Sequence, residues 1–387
     1  MSIEIKKCAV LGAGVMGAQI AGHIANAGIP SLLFDVNNDL AKKGIEGLTK
    51  LKPAPLFSSK NTSLITPCTY DSDLEKLKDC DLIIEAVAEK IEIKHTVYKN
   101  LLPHLKENAI LASNTSGIPL ANLVEVLPDE VQSRFLISHF FNPPRYLRLL
   151  ELVKGPKTSD DVYNVVSEFG EVTLGKGVVH AKDTPGFIGN RLINASGPLT
   201  FQKAMDYGLT VEDVDSLAGT LIGNAKSAYF RTQDVVGLDT ALNVMNNMFE
   251  RVTTESEDER QKFKAPELLV KLVEDGRLGQ KSGAGWYKKE GKEILSLDFD
   301  TMEYSPTKKR FFDTIRVGKP IKDLKKRLAA ITYLDDVGAK FLWDINAPMF
   351  TYSAELIPEI ADSIIEIDNA CLLYTSPRPL DSIASRM

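Results

Sequence analysis

KKCAVLGAGVMG, residues 6–17, decides the fold. Its first six residues make an apolar run of strand length, and a helical pattern follows over 14–28. Between them Gly12, Gly14 and Gly17 stand as G-x-G-x-x-G. Glycine permits a tight turn and lets the backbone approach a pyrophosphate, while a helix N-terminus offers unpaired N–H groups and a favourable dipole. A glycine hexamer alone is weak evidence, because glycine-rich turns are common. Asp35 strengthens it: it lies in the next strand-like run, SLLFDV (31–36), 21 residues beyond Gly14. A carboxylate there accepts from both hydroxyls of an adenosine ribose and repels a 2′-phosphate, so the pattern predicts NAD rather than NADP. The plainer alternative is a glycine-rich turn followed by a solvated aspartate.

Outward from this stretch, DLIIEAV (81–87), AILAS (109–113), RFLISHF (134–140) and RLLELV (148–153) are further runs of strand length, with helical segments such as 91–106 between them. This β-α-β alternation predicts a Rossmann-like α/β domain over 1–185, its parallel sheet covered by helices on both faces. Residues 52–73 are rich in Pro, Ser and Thr and read as an excursion between helix and strand. At DTPGF (183–187) the texture changes to helical, predicting an all-α domain over 186–287. GQKSGAGWYKKEGKE (279–293) reads as a closing loop, and 288–370 as a linker with renewed helical patterning, ending in AELIPEIADSIIEIDNA (354–370).

Composition narrows the function classes. A chain of 387 residues has room for two or three domains. With a net charge of −6 and no basic block, it is not expected to bind nucleic acid. Cys8, Cys68, Cys80 and Cys371 show no C-x-x-C spacing, so neither a metal site nor a disulfide framework is expected. The N-terminus does not have the form of a signal peptide, and no run approaches the roughly 18 apolar residues of a membrane span. No membrane association and a cytoplasmic location are the expectation.

Five histidines allow elimination. His23, His95, His104 and His180 fall within or beside regular elements and read as packing or surface residues. His139 differs, because it ends a strand in SHFFNPP, where the chain must turn at Asn142-Pro143-Pro144. The C-terminal ends of strands are where open α/β sheets bind ligands. Twelve residues on, Glu151 sits between leucines in RLLELV. A buried carboxylate needs a partner, and an imidazole is a natural one. Such a pair suits alcohol oxidation, the histidine taking the hydroxyl proton and the carboxylate fixing its tautomer. On its own, the pair is as consistent with a structural contact as with catalysis.

SNTS (113–116), HFFNP (139–143), Glu151 and KDTPGFIGNR (182–191) together resemble the ordered signature of the 3-hydroxyacyl-CoA dehydrogenases. The resemblance runs from about Lys6 to about Ala370. It implies an NAD-dependent oxidoreductase that converts (S)-3-hydroxyacyl-CoA to 3-oxoacyl-CoA in fatty-acid β-oxidation. His139 would be the general base and Glu151 its partner. Ser116 would hydrogen-bond the reacting oxygen, and Asn190 would help hold the substrate. Glu89, Lys94, Asn114 and Lys281 match cofactor contacts, and Asn142 matches a contact to the acyl-CoA. The helical domain would bind substrate and pair two copies into a homodimer. Plainer alternatives remain: Ser116 and Asn114 as turn or cap residues before a helix at 118–126, Asn142 as a turn residue, Asn190 as a helix cap, and Lys94 as a partner on a solvated face. Lys50 or Lys52 would meet the CoA phosphates or simply be solvated. Outside the family, a 6-phosphogluconate-type or hydroxyisobutyrate-type dehydrogenase shares the fold but uses a lysine, and an idle NAD-binding scaffold is the non-enzymatic rival.

Two departures mark a branch. Where compact members carry Gly-Pro-Phe-Glu, this chain has IGNAKSAYFRTQDVVGLD (222–239), and it continues about eighty residues past the closing loop. Both features resemble the long bacterial fusion of dehydrogenase and enoyl-CoA hydratase, here truncated, so hydratase activity is not expected. CLLYTSPRPLDSIASRM (371–387) fits nothing before it, and CLLYTS is what one frame of a transposon-end sequencing adapter encodes. The expectation is a non-native, disordered tail that leaves Ile360, Ile364 and Ile367 uncovered.

Overall fold

The computed structural model of the chain describes residues 4–252, 257–308 and 310–375. These form two compact units: one runs through Gly189 and resumes at Ile357, and the other is Asn190–Leu356.

The first unit is an eight-stranded sheet of β1 (Cys8–Leu11), β2 (Ser31–Asp35), β3 (Ile65–Thr69), β4 (Leu82–Glu85), β5 (Ile110–Ser113), β6 (Phe135–Phe140), β7 (Leu149–Lys154) and β8 (Gly177–Ala181). Their order across the sheet is β3-β2-β1-β4-β5-β6-β7-β8. Strands β1 to β6 run parallel, so their C-terminal ends share one edge. The order reverses between β1 and β4, which opens a crevice at that edge. The helix Val15–Asn26 lies on the sheet by its small residues, with Ile20 and Ile24, four apart, fully buried against it. Each such isoleucine contributes about 1.5–3 kcal/mol.

Not every pairing is parallel. β7 runs antiparallel to β6, with His139 opposite Glu151, and β8 then runs parallel to β7. The connection 141–148 is too short for a crossover, which takes a dozen residues or more, so the chain can only fold back as a hairpin. The excursion at 52–73 hides the edge strand β3, where Pro67 is tolerated because an edge leaves its missing N–H unneeded.

The C-terminal segment corrects the expected uncovered stripe. The helix Ile364–Thr375 packs against β7 and β8. Ile360 and Ile367 are fully buried, and of the three isoleucines only Ile364 is exposed. Helix therefore continues past Ala370 into the stretch expected to be disordered. Leu373 covers Gly177 so closely that a methyl group there would lie 2.3 Å from its Cδ1. The rest of the tail, 376–387, lies outside the described residues.

The second unit is mainly helical, from Gly189–Asp206 through Val337–Glu355, around a core that includes Phe230, Trp286 and Phe341. The stretch read as closing loop and linker contains a small antiparallel sheet of β9 (Tyr287–Glu290), β10 (Glu293–Leu297) and β11 (Tyr304–Pro306). No helix among the described residues is long and apolar enough to cross a membrane.

Candidate active site

The glycine loop leaves β1 and enters the helix Val15–Asn26. Its glycines are needed for different reasons. Gly12 has φ +100° and backs onto the Ala86 carbonyl, and a Cβ on Gly17 would lie 1.8 Å from the Gly12 oxygen. Gly14 contrasts with both: a Cβ there would meet no protein atom within 4 Å. The space beside Gly14, at the first turn of the helix, is what a pyrophosphate approaching the free N–H groups would use. Asp35 closes the loop from β2, its Oδ2 accepting the Ala13 N–H at 2.8 Å and its Oδ1 the Val36 N–H at 2.7 Å. The bonds fix the carboxylate beside the loop, each oxygen keeping a lone pair for a ribose hydroxyl. These residues fit NAD.

At the same edge, β6 presents His139. Its Nδ1 lies 2.7 Å from Glu151 Oε2, and Glu151 is fully buried. The other carboxylate oxygen accepts the N–H groups of Ile188 (3.1 Å) and Gly189 (2.7 Å). Phe141 and Phe187 flank the imidazole, with ring centroids 4.5 and 5.6 Å away. A carboxylate held by two backbone donors accepts from the histidine, which puts the ring proton on Nδ1 and leaves Nε2 with a free lone pair.

Two of the residues that the resemblance matches to cofactor contacts, Glu89 and Lys94, form a second cluster beside β4 and β5. Lys94 is buried, reaching Glu85 Oε1 at 2.7 Å and Glu89 Oε2 at 3.2 Å. Glu89 Oε1 accepts from Thr115 Oγ1 (2.5 Å), the Ser116 N–H (3.1 Å) and Ser116 Oγ (3.4 Å). Burial alone would raise the Glu89 carboxyl, but the Lys94 charge and the Thr115 and Ser116 bonds outweigh it and hold it below its ordinary value. Lys94 is thus an interior cation between two carboxylates, not a surface partner. Glu85, fully buried at the end of an apolar run, was not singled out by the sequence; only a charge inside DLIIEAV hinted at it.

The remaining residues have separate settings. Asn114 donates its N–H to the Glu85 carbonyl and accepts the Phe140 N–H on Oδ1, tying β4, β5 and β6 together. Asn142 Oδ1 accepts from Gln19 Nε2 at 2.9 Å, linking the turn after β6 to the helix of the glycine loop. Neither Ser116 nor Asn114 caps the following helix, which starts at Leu120 and has its first N–H bound by Asp183. In the second unit, Asn190 lies in the first turn of its helix, its carbonyl accepting from Asn194, and Lys281 pairs with Asp239 at 2.5 Å. Lys50 and Lys52 are exposed. Of the other histidines, His23 is buried against the Leu174 carbonyl, His95 meets the Asn122 carbonyl, His104 pairs with Glu75, and His180 bonds Tyr163. No group of three or more potential metal ligands occurs among the described residues.

Comparison with known proteins shows the family. The family model described as "3-hydroxyacyl-CoA dehydrogenase, NAD binding domain" matches residues 7–184, and that of the C-terminal domain matches 186–289. A "Probable 3-hydroxyacyl-CoA dehydrogenase" of Bacillus subtilis is 44% identical over 391 residues, covering 96% of this chain and 49% of the relative. The chain therefore spans about half the length of that relative. One of the same name from Deinococcus radiodurans is 44% identical over 307 residues, covering 77% of this chain and 87% of the relative. Among solved structures, FadB2 of M. tuberculosis is 32% identical with a TM-score of 0.63, covering 74% of this chain and 99% of that one.

Proposed function

The chain belongs to the 3-hydroxyacyl-CoA dehydrogenase family, and from that premise we propose that it oxidises (S)-3-hydroxyacyl-CoA to 3-oxoacyl-CoA with NAD, in cytoplasmic fatty-acid β-oxidation. The observation that carries the reading is the buried His139–Glu151 pair at the sheet edge that also bears the glycine loop. Bound NAD supplies the hydride acceptor. The work left to the protein is to take one proton from the 3-hydroxyl as the C3 hydrogen departs with its electron pair.

His139 Nε2 accepts that proton, since its Nδ1–H is committed to Glu151. The imidazolium that forms is stabilised by the Glu151 carboxylate, which the Ile188 and Gly189 N–H groups hold in place without neutralising it. Phe141 and Phe187 keep the ring from rotating and keep water from its faces. Ser116 hydrogen-bonds the reacting oxygen, while Asn142 and Asn190 hold the acyl-CoA. Glu89, Asn114 and Lys281 take the cofactor with Gly12, Gly14, Gly17 and Asp35. Two copies pair through the second unit. An assay with acetoacetyl-CoA and NADH tests the reading: turnover is expected, and NADH binding without turnover would leave only a scaffold.

A further inference from the structure

Glu85 takes no part in the mechanism above, yet its side chain accepts from four donors at this edge of the sheet. Its Oε1 accepts from Lys94 Nζ at 2.7 Å and the Val87 N–H at 2.8 Å. Its Oε2 accepts from Tyr98 at 2.9 Å and Ser113 at 2.6 Å. Four donors from four places fix one fully buried carboxylate, and through it they fix the Lys94 ammonium. Lys94 then reaches Glu89, and Glu89 binds the hydroxyl of Thr115 and both the N–H and hydroxyl of Ser116.

We propose that Glu85 is a positioning residue, which sets the place of Glu89 through Lys94 and the place of Ser116 through Glu89. The inference rests on the reading that Glu89 and Ser116 face cofactor and substrate. Lys94 is one cation shared by two carboxylates. Without the Glu85 charge the pull on Lys94 becomes unequal and the ammonium shifts toward Glu89. Glu89 then shifts, and with it the loop that carries Ser116. Simple structural support would act on stability alone, whereas this relay acts on cofactor affinity through one identified neighbour.

Glu85→Gln isolates the charge. The amide oxygen can still accept from Lys94 and Val87, and the amide NH₂ can donate to the Tyr98 and Ser113 hydroxyls, which turn to accept. Lys94 keeps Glu89, so no charge is left unpaired. NADH affinity is measured by calorimetry well below the unfolding temperature, in the full chain. Glu85→Gln should weaken it about three- to thirtyfold, inside the range of couplings within one hydrogen-bonded network. With Glu89→Gln already present, the further loss should be less than about twofold. An affinity within twofold of the parent, or an equal loss in both backgrounds, overturns the relay. If Glu85→Gln does not fold, Tyr98→Phe serves, since it removes one neutral donor and keeps both charges. It should produce a smaller loss that Glu89→Gln likewise suppresses, and no loss overturns the proposal. Because binding is measured without turnover, a parent that turns over but shows no coupling refutes only the relay. A parent that binds NADH without turnover refutes the activity while the coupling still decides the relay, and a parent that binds no NADH refutes both.

Discussion

Replacing Glu151 by Gln keeps the size of the side chain and reverses one hydrogen bond. The amide oxygen must face the Ile188 and Gly189 N–H groups, which lie 3.1 and 2.7 Å from Glu151 Oε1. Turned the other way, the NH₂ would confront two buried donors, at about 1–3 kcal/mol each. The amide NH₂ therefore points at His139 Nδ1, where Glu151 Oε2 now lies 2.7 Å away. A donor there forces Nδ1 to accept, which moves the ring proton to Nε2, the atom that should take the substrate proton. A histidine held in the wrong tautomer in this way costs about 10⁴-fold in kcat, roughly 5.5 kcal/mol. Folding should be little affected, because both backbone donors keep an acceptor. Steady-state oxidation of (S)-3-hydroxybutyryl-CoA with NAD, alongside thermal unfolding, measures both. A Glu151→Gln protein that folds like the parent and keeps kcat within about tenfold would refute the tautomer argument.

Three further outcomes are expected, two at the glycine loop and one at His23. Gly17→Ala should destabilise the protein by about 3 kcal/mol or more, since the new methyl would sit 1.8 Å from the Gly12 oxygen. Gly14→Ala should unfold within about 0.5 kcal/mol of the parent yet bind NADH more weakly by calorimetry, and unchanged affinity would place the pyrophosphate elsewhere. Burial, helped by the Lys176 charge, pushes His23 from 6.5 down to about 4. Above pH 6.5 the ring is neutral whether folded or unfolded. As the pH falls toward about 4 only the unfolded chain takes the proton, so stability is lost across that window. His23→Leu should abolish this loss, about 3 kcal/mol of the parent's change between pH 7 and pH 4, and parallel denaturation curves for the two proteins would contradict it.

What the sequence made legible is what depends on neighbours along the chain. The glycine loop, the helix after it and Asp35 belong to one β-α-β unit, so spacing alone located them. His139 and Glu151 were legible because both occupy strand-like runs, and twelve residues is the separation that a short hairpin brings into register. The antiparallel direction of β7 was available from the same count and was not drawn from it. Glu85 was not legible: its partners Lys94, Tyr98 and Ser113 come from a helix and another strand, and an acidic residue in an apolar run does not say what will satisfy it. For the same reason Lys94, which sits at a helix position that suits a solvated face, gave no sign that two carboxylates would enclose it. Ile367 lies in a helix that packs on β7 and β8, almost two hundred residues earlier in the chain, which no local pattern could announce.

The central claim is that His139 is the base of a 3-hydroxyacyl-CoA dehydrogenase, and one paired measurement tests it. NADH affinity and the kcat for acetoacetyl-CoA reduction are compared between the parent chain and His139→Gln. The account predicts turnover by the parent, a kcat lower by about 10²–10⁴-fold in the variant, and NADH affinity unchanged within a few-fold. A His139→Gln protein whose kcat stays within a few-fold of the parent would contradict it, and another group would have to take the proton.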